Sequence, residues 1–461
     1  MWWWKSFARK RRHSYNHVLE TNRTAASERA PAPDAGASKP SRARWLILFL
    51  ISLMYLICYM DRSNITVAQV EIAKEFGLSR TAMALVFSAF TWAYAIGQIP
   101  AGFLGDRFGP KKVLLVIMPW WSLAAAMTGA AFGLVSLFSA RFLLGLGEAG
   151  AFPVASRGMQ LWFPRSERGR IQGITHFFSR FAVAVTPFVA ASIMLAFGWR
   201  AIFYTFGSLG LIWSLAFVVY YRNRPEEHHS VNQAELGQIR GRNPDGSIQQ
   251  VSTARPIVPW KTIFSSPNMW AIAAAYGCFF YGTYFFLSWY PTYLREYRHI
   301  TLQALGLIGS LPLFAGMAGD VVGGALTDVL FRRTGNAKFA RRIVAAPGML
   351  VSGLFLIPAA TTQDTWTSIL CLAASFFFLE WVIGPAWAVP MDVGGQFSGT
   401  VTGVMNMAGA LGASLTPLVF GYFIQRGSWV TPFFVTTGVL AMGTLIWIFL
   451  INPEKSVVEH A

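Results

Sequence analysis

Runs of about twenty apolar residues recur along almost the whole chain, each long enough to cross the roughly 30 Å hydrocarbon core of a bilayer as a helix. Few folds can hold such a sequence. Of 461 residues, 54% are hydrophobic and only 13% charged, where a soluble domain carries about 25% charged residues. A water-soluble protein would lack the polar surface to cover a dozen apolar runs. The pattern predicts spans over 45–67, 81–105, 112–133, 135–159, 168–196, 201–221, 269–292, 302–330, 342–361, 366–391, 399–424 and 432–451. The expected fold class is an all-α polytopic membrane protein of twelve transmembrane helices.

The charge pattern sets the topology. A net charge of +17 can signal nucleic acid, but Lys and Arg lie mostly in short connections and in the N-terminal tail. Alternate connections carry Arg107, Lys111 and Lys112; Arg157, Arg165, Arg168 and Arg170; Arg222 and Arg224; then Arg332, Arg333, Lys338, Arg341 and Arg342. The opposite connections are poor in basic residues, so both termini are expected in the cytoplasm. Residues 222–268 form the one long polar connection and divide the spans six and six. The expected organisation is a disordered cytoplasmic tail over 1–44, a six-helix bundle over 45–221, a cytoplasmic loop over 222–268, a second six-helix bundle over 269–451 and a cytoplasmic tail over 452–461. Two pseudo-symmetric bundles of this kind suggest a secondary transporter. The tail has no apolar segment followed by a cleavage site, so it does not read as a secretory signal. Cys58, Cys278 and Cys371 stand singly within apolar segments, with no metal or disulfide spacing.

Against this apolar background a few ionisable residues stand out. Span one contains Tyr59-Met60-Asp61-Arg62. A charge near a bilayer centre costs about 2.5–3.5 kcal/mol on insertion scales, so an embedded acid–base pair reads as functional. Span four carries Arg141 and Glu148, seven residues apart, which places them on one face of a helix, about 10 Å apart along its axis. If spans one and four face each other, Asp61 can pair with Arg141 and Glu148 with Arg62, which lowers the cost of inserting them. A static network that only fixes helix register is the plainer alternative. His176, Ser179 and Arg180 cluster on span five. Arg180 can act as a second anion clamp or pair with Glu380 or a carbonyl, and His176 reads as a packed polar residue before it reads as a proton relay. On span seven, Tyr281 and Tyr284 are three apart and can line a cavity.

The connection after span two reads Gly102-Phe-Leu-Gly-Asp106-Arg107-Phe-Gly-Pro-Lys111-Lys112, and that after span eight reads Gly323-Gly-Ala-Leu-Thr-Asp328, followed by Arg332-Arg333. Their repetition at equivalent places in both halves predicts a cytoplasmic gate, in which Asp106, Arg107, Arg168 and Asp328 take part. Glycines allow close helix approach, and the aspartate can accept hydrogen bonds from Arg168 or Arg170.

This loop resembles the signature of the major facilitator superfamily. Glu148-Ala-Gly-Ala-Phe-Pro153, Glu167-Arg168-Gly169-Arg170, Gly198-Trp199-Arg200 and Tyr284-Phe-Phe-Leu-Ser-Trp-Tyr-Pro-Thr-Tyr-Leu294 are similar to its anion:cation symporter branch. The resemblance covers about residues 45–451. It implies two six-helix bundles that work by alternating access, with the acid beside Arg62 and an acid on span four taking protons, here Asp61 and Glu148. It implies substrate contacts at Tyr59, Tyr94 and Asn406. The branch includes carriers of galactonate, glucarate and hexuronates. Glu380 and Trp381 depart from the small or hydroxyl residues expected on span ten, so Glu380 stands as a third proton site, a partner for Arg180 or a selector for a distinctive polar end.

The reading that follows is a proton-coupled importer of an organic anion in the inner membrane, with a sugar acid placed ahead of an aromatic acid. An antiporter or uniporter shares the architecture. Arg62 offers a substrate carboxylate a two-point fork, and protonating a neighbouring acid releases its arginine. A membrane enzyme would need a nucleophile–base pair or a metal motif, and neither HExxH nor GxSxG occurs. No cofactor and no metal is expected. The expected partners are a small organic anion, protons and the bilayer, without nucleic acid, and the chain is expected to work as a monomer.

Overall fold

The computed structural model describes residues 39–249, 257–301 and 309–459. Most of the expected tail, residues 250–256 of the long connection and residues 302–308 at the start of the expected eighth span lie outside the described residues. Among the described residues, twelve helices are long and apolar enough to cross a membrane: Ala43–Glu75, Thr81–Phe108, Pro110–Gly129, Leu134–Trp162, Arg165–Phe197, Trp199–Tyr220, Pro267–Ser288, Leu311–Thr334, Ala337–Thr361, Thr365–Val393, Gly395–Gln425 and Thr431–Phe449. They are spans one to twelve below.

Contacts sort the chain into two units. The smaller holds described residues 39–42 and 230–249. Its helix Gln233–Arg240 is capped by Asn232, whose side-chain oxygen accepts from the Glu235 amide at 2.9 Å and from the Ser41 amide at 3.1 Å. The larger unit holds all twelve spans.

Within the first half, span one packs on spans five and six, span two on span four, and span three on spans four and six. In the second half, span seven packs on spans eleven and twelve, and span nine on spans ten and twelve. The halves meet along two seams, span five against span eight and span two against span eleven. Large apolar side chains such as Phe188, Leu195, Leu215 and Val219 stay exposed on the outside, as lipid-facing residues must.

Two features depart from uniform spans. Span one runs past its expected end at residue 67 to Glu75. Ile65, Ala68 and Ile72 recur at helical spacing and bury into a core with Met83, Leu137 and Phe203, which holds the last turns. Spans four and ten each break in two, after Glu148 and after Glu380: Leu134–Glu148 is followed by Ala151–Trp162, and Thr365–Glu380 by Ile383–Val393. A proline stands five residues beyond each acid, Pro153 and Pro385. Proline lacks an amide donor, and its ring collides with the carbonyl four residues back, here at Ala149 and Trp381, where the helices interrupt.

Candidate functional site

With an even number of spans, the start of span one and the end of span twelve lie at one end of the bundle, and that end is closed. Its two seams are built alike. Asp106, at the end of span two, accepts the amides of Gly399 and Thr400 at 2.9 and 2.6 Å and the Thr400 hydroxyl at 2.7 Å. Asp328, at the end of span eight, accepts the amides of Gly169 and Arg170 at 3.0 and 2.6 Å. Each carboxylate thus caps the N-terminus of a helix in the opposite half, where amides lack intrahelical partners and the helix dipole favours negative charge. Only glycine permits the crossing. A methyl group on Gly102 would collide with the Gly399 carbonyl, and one on Gly324 with the Gly169 carbonyl.

The expected partners at this end need correction. Arg168 does not meet Asp106. It donates to Asp392 and to the Met391 carbonyl, both at 2.8 Å. Arg107 is exposed over the rings of Phe103 and Phe108 and takes no part in the closure. The network is completed by Arg341, fully buried, which joins Asp328 at 2.8 Å and Asp392 at 3.4 Å. Asp392 and Arg341 escaped sequence reasoning because both look like ordinary residues at span ends. An acid closing the apolar run Ala388-Val-Pro-Met391 was the available signal.

Beyond the closed end lies a cavity of about 570 Å³ between the halves. Exposed wall residues Thr66, Thr91, Leu287 and Ser414 mark its mouth toward the far end. Tyr59, Arg62, Tyr94, Arg141, Arg180, Tyr284 and Asn406 line it, as does His176. Ser179 and Tyr281, candidates for substrate contact, do not, and neither does Glu380, for which pairing with Arg180 was one of the expected alternatives. Ser179 is buried and donates to the Thr175 carbonyl along its own helix. Tyr281 is rotated into the second bundle toward Thr436. Glu380 sits fully buried behind Arg180, which it meets at 2.8 Å. Trp387 and Phe152 are wall residues that the sequence reading missed.

The wall carries three arginines and no carboxylate among the described residues. Arg62 is held most closely. Its Nε donates to Glu148 at 2.7 Å, and its guanidinium carbon lies 4.3 Å from the Tyr94 ring centre and 4.9 Å from that of Tyr59. Phe152 and Phe90 complete a cage at 5.3 and 5.4 Å. Contacts of this kind contribute about 0.5–2 kcal/mol each. Arg62 Nη2 is left without an acceptor. The expected pairing of Glu148 with Arg62 is present, whereas that of Asp61 with Arg141 is not. Arg141 donates instead to the main-chain carbonyl of Asp61 at 3.3 Å, and both Asp61 carboxyl oxygens are buried without a hydrogen-bond partner. Asn406 donates to the Tyr94 hydroxyl at 3.1 Å and to Gln98 at 2.9 Å, tying the two halves together across the cavity floor. His176 packs among Tyr55, Phe152 and Trp387 and engages the Gln172 carbonyl through Nδ1 at 2.9 Å.

Both the sequence and the fold match known proteins. The family model described as Major Facilitator Superfamily matches residues 51–417. The chain is 40% identical over 417 residues to the "Probable sulfoacetate transporter SauU" of Cupriavidus necator, covering 90% of this chain and 95% of that protein. It is 33% identical to the "D-galactonate transporter" of Escherichia coli O6:H1, covering 91% and 98%. Among solved structures, the proton:xylose symporter XylE superposes with a TM-score of 0.70 at 14% identity, covering 90% of this chain and 98% of that one. The transporter FucP does so with a TM-score of 0.68 at 13% identity, covering 89% and 100%.

Proposed function

The chain belongs to the Major Facilitator Superfamily, in its anion-transporter branch, and from that premise we propose that it imports a small organic acid together with protons by alternating access. It is a multi-pass membrane transporter and not an enzyme. The observation that carries the anion reading is the cavity wall, with Arg62, Arg141 and Arg180 and no acid among its described residues. Arg62 takes a substrate carboxylate in a two-point fork. Its aromatic cage fixes the guanidinium plane, so little side-chain freedom is lost on binding. Glu148 competes with substrate for Arg62, and a proton on Glu148 releases the arginine. Asp61 supports a proton site next to it, because a buried carboxyl whose oxygens have no donor is tolerated as the neutral acid. Tyr59, Tyr94, Tyr284 and Asn406 present the polar groups that hold a polyhydroxylated chain.

The basic residues gathered at the closed end support a cytoplasmic position for that end and both termini, and the bacterial relatives support the inner membrane. The cavity then faces outward, ready to load. A sugar acid such as galactonate or glucarate fits the hydroxyl-bearing wall. A short sulfonate such as sulfoacetate is the second reading, favoured by the 40% identical relative and by the phenyl rings around Arg62. The test is uptake into proteoliposomes of galactonate, glucarate, a hexuronate and sulfoacetate, with and without an inward proton gradient. One of these accumulates only with the gradient, and Asp61→Asn and Glu148→Gln each abolish accumulation while sparing exchange. Undiminished gradient-driven accumulation by both variants contradicts the coupling.

A further inference from the structure

The machinery around Arg62 has a counterpart in the other half. Glu148 is the last residue of the first segment of span four, and Glu380 is the last residue of the first segment of span ten. Each is followed five positions later by the proline that breaks its helix. Each meets an arginine of the cavity wall, Arg62 at 2.7 Å and Arg180 at 2.8 Å. Each also has a second buried acid beside it, Asp61 next to Glu148 and Asp320 next to Glu380. The constellation of one arginine, one acid before a helix break and one further acid thus occurs twice.

The second copy differs in one respect. Arg62 and Glu148 belong to the same half, whereas Arg180 is on span five and Glu380 on span ten, so this pair bridges the halves. Span eight brings Asp320 close because it is stripped of side chains where it crosses span ten. A methyl group on Gly319 would strike the Phe377 carbonyl, and one on Gly316 would sit 3.1 Å from Glu380 Cγ. Both Asp320 oxygens and Glu380 Oε1 are buried without a donor, and so is Arg180 Nε without an acceptor. The polar groups around the carboxyl pair come from every neighbouring element: Arg180 and, behind it, His176 from span five, Thr283 and Tyr276 from span seven, Asp320 from span eight and Tyr59 from span one. The basic residues of span nine that pack elsewhere, Arg341 and Arg342, are engaged at the closed end.

We propose that Arg180, Glu380 and Asp320 form a second, proton-gated anion subsite, and that the substrate is a dianion with an acidic group at each end. The inference rests on the transport reading above and deepens it. Two buried carboxyls side by side cannot both stay ionised next to one guanidinium. One proton shared between them leaves a single negative charge, which balances Arg180. A second proton removes that balance and exposes a cation at the cavity wall, where an acidic group of the substrate restores it. Arg62 holds the other end. The Arg62 and Arg180 guanidinium carbons lie 4.9 and 5.9 Å from the centre of the same Tyr59 ring, so one small molecule can reach both. Because Arg180–Glu380 crosses the halves, a substrate that takes Arg180 also frees one link between them.

The test compares matched acids that differ by one terminal charge: galactarate against galactonate, and sulfoacetate against methanesulfonate. Binding to the full-length protein is followed by thermal stabilisation across pH, alongside proteoliposome uptake. In the wild type the dianion of the transported pair binds at least about tenfold more tightly, the scale of one charge-assisted hydrogen-bonded contact, and its advantage grows as pH falls. Glu380→Gln keeps the preference and flattens its pH dependence. Arg180→Gln loses the preference. Because Arg180→Gln alone strands a buried acid and can fail to fold, the double variant Arg180→Gln/Glu380→Gln, which removes both charges, is measured as well and also loses it. Proton-driven uptake with no preference for the dianion, or a preference that survives the double variant, overturns the inference and leaves the transport reading standing. No uptake of any acid overturns both.

Discussion

The closed end of the bundle yields the most quantitative prediction. The Asp106 side chain is 2% exposed and accepts three hydrogen bonds from Gly399 and Thr400, with Arg157 at 3.8 Å. A hydrogen bond to a charged group contributes about 1.5–3 kcal/mol net. The three share one carboxylate, and water would take their place once the seam opens, so they do not add. Allowing for both effects, Asp106→Ala weakens the closed state by roughly 3 kcal/mol, which shifts the closed-to-open ratio by on the order of 100-fold. That inverts an equilibrium favouring closure by up to about tenfold. Spin labels at Lys112→Cys and Arg333→Cys, exposed at this end of the two halves, report the separation by pulsed electron–electron resonance in a Cys371→Ser background, since Cys58 and Cys278 are buried. The wild type gives mainly the short distance, and the variant mainly a longer one. An unchanged distance distribution in a variant that melts like the wild type refutes the capping account of the seam.

Other substitutions separate structural from functional roles. Asp328→Ala differs from Asp106→Ala because it removes a partner of fully buried Arg341; it lowers thermal stability in detergent as well as opening the seam, by up to about 3–5 kcal/mol less whatever Asp392 still compensates. Arg62→Lys keeps the charge but loses the planar fork, so the KM of substrate exchange rises about 10–100-fold with a smaller change in maximal rate; a KM within about twofold of wild type removes Arg62 from the site. Asp364 caps span ten by accepting the Thr367 amide at 2.7 Å, and this bond holds its carboxyl below the ordinary value of 3.8. Its folded-state pKa is depressed, so the stabilisation is full above pH 3.8 and fades as pH falls through the lower folded value. The melting-temperature gap between wild type and Asp364→Ala should therefore narrow only in strongly acidic buffer, and a gap that is constant down to pH 2.5, about one unit below the usual carboxylate range, contradicts the cap.

The fold was legible because a bilayer leaves a chain few choices. Twenty-residue apolar runs become helices, and a long polar connection divides them. The Arg62–Glu148 pair was legible for a related reason, since charges seven apart on one stripe need partners in an apolar setting. What escaped was set by helix rotation and by the backbone. Arg141 takes the main-chain carbonyl of Asp61 and not its carboxyl, a choice that depends on rotamer and register and not on residue type. The partners of Asp106 and Asp328 are backbone amides at helix starts in the opposite half, and no pattern of side chains points to them. Ser179 and Tyr281 have suitable chemistry, but tertiary packing turns them away from the cavity. The matched breaks after Glu148 and Glu380 were written in the shared spacing to Pro153 and Pro385. They acquired meaning only when the arginine beside each acid came into view.

Coupling of acid and proton movement is the centre of this account, and it can be observed without any mutation. Wild-type protein in proteoliposomes with no initial pH difference is given the transported acid on the outside, at a pH where that acid is fully ionised, and external pH is followed with an impermeant dye. Import of the anion with its protons predicts an immediate alkalinisation outside that saturates with substrate concentration and collapses with a protonophore. Uptake of the labelled acid without any accompanying proton flux contradicts the account.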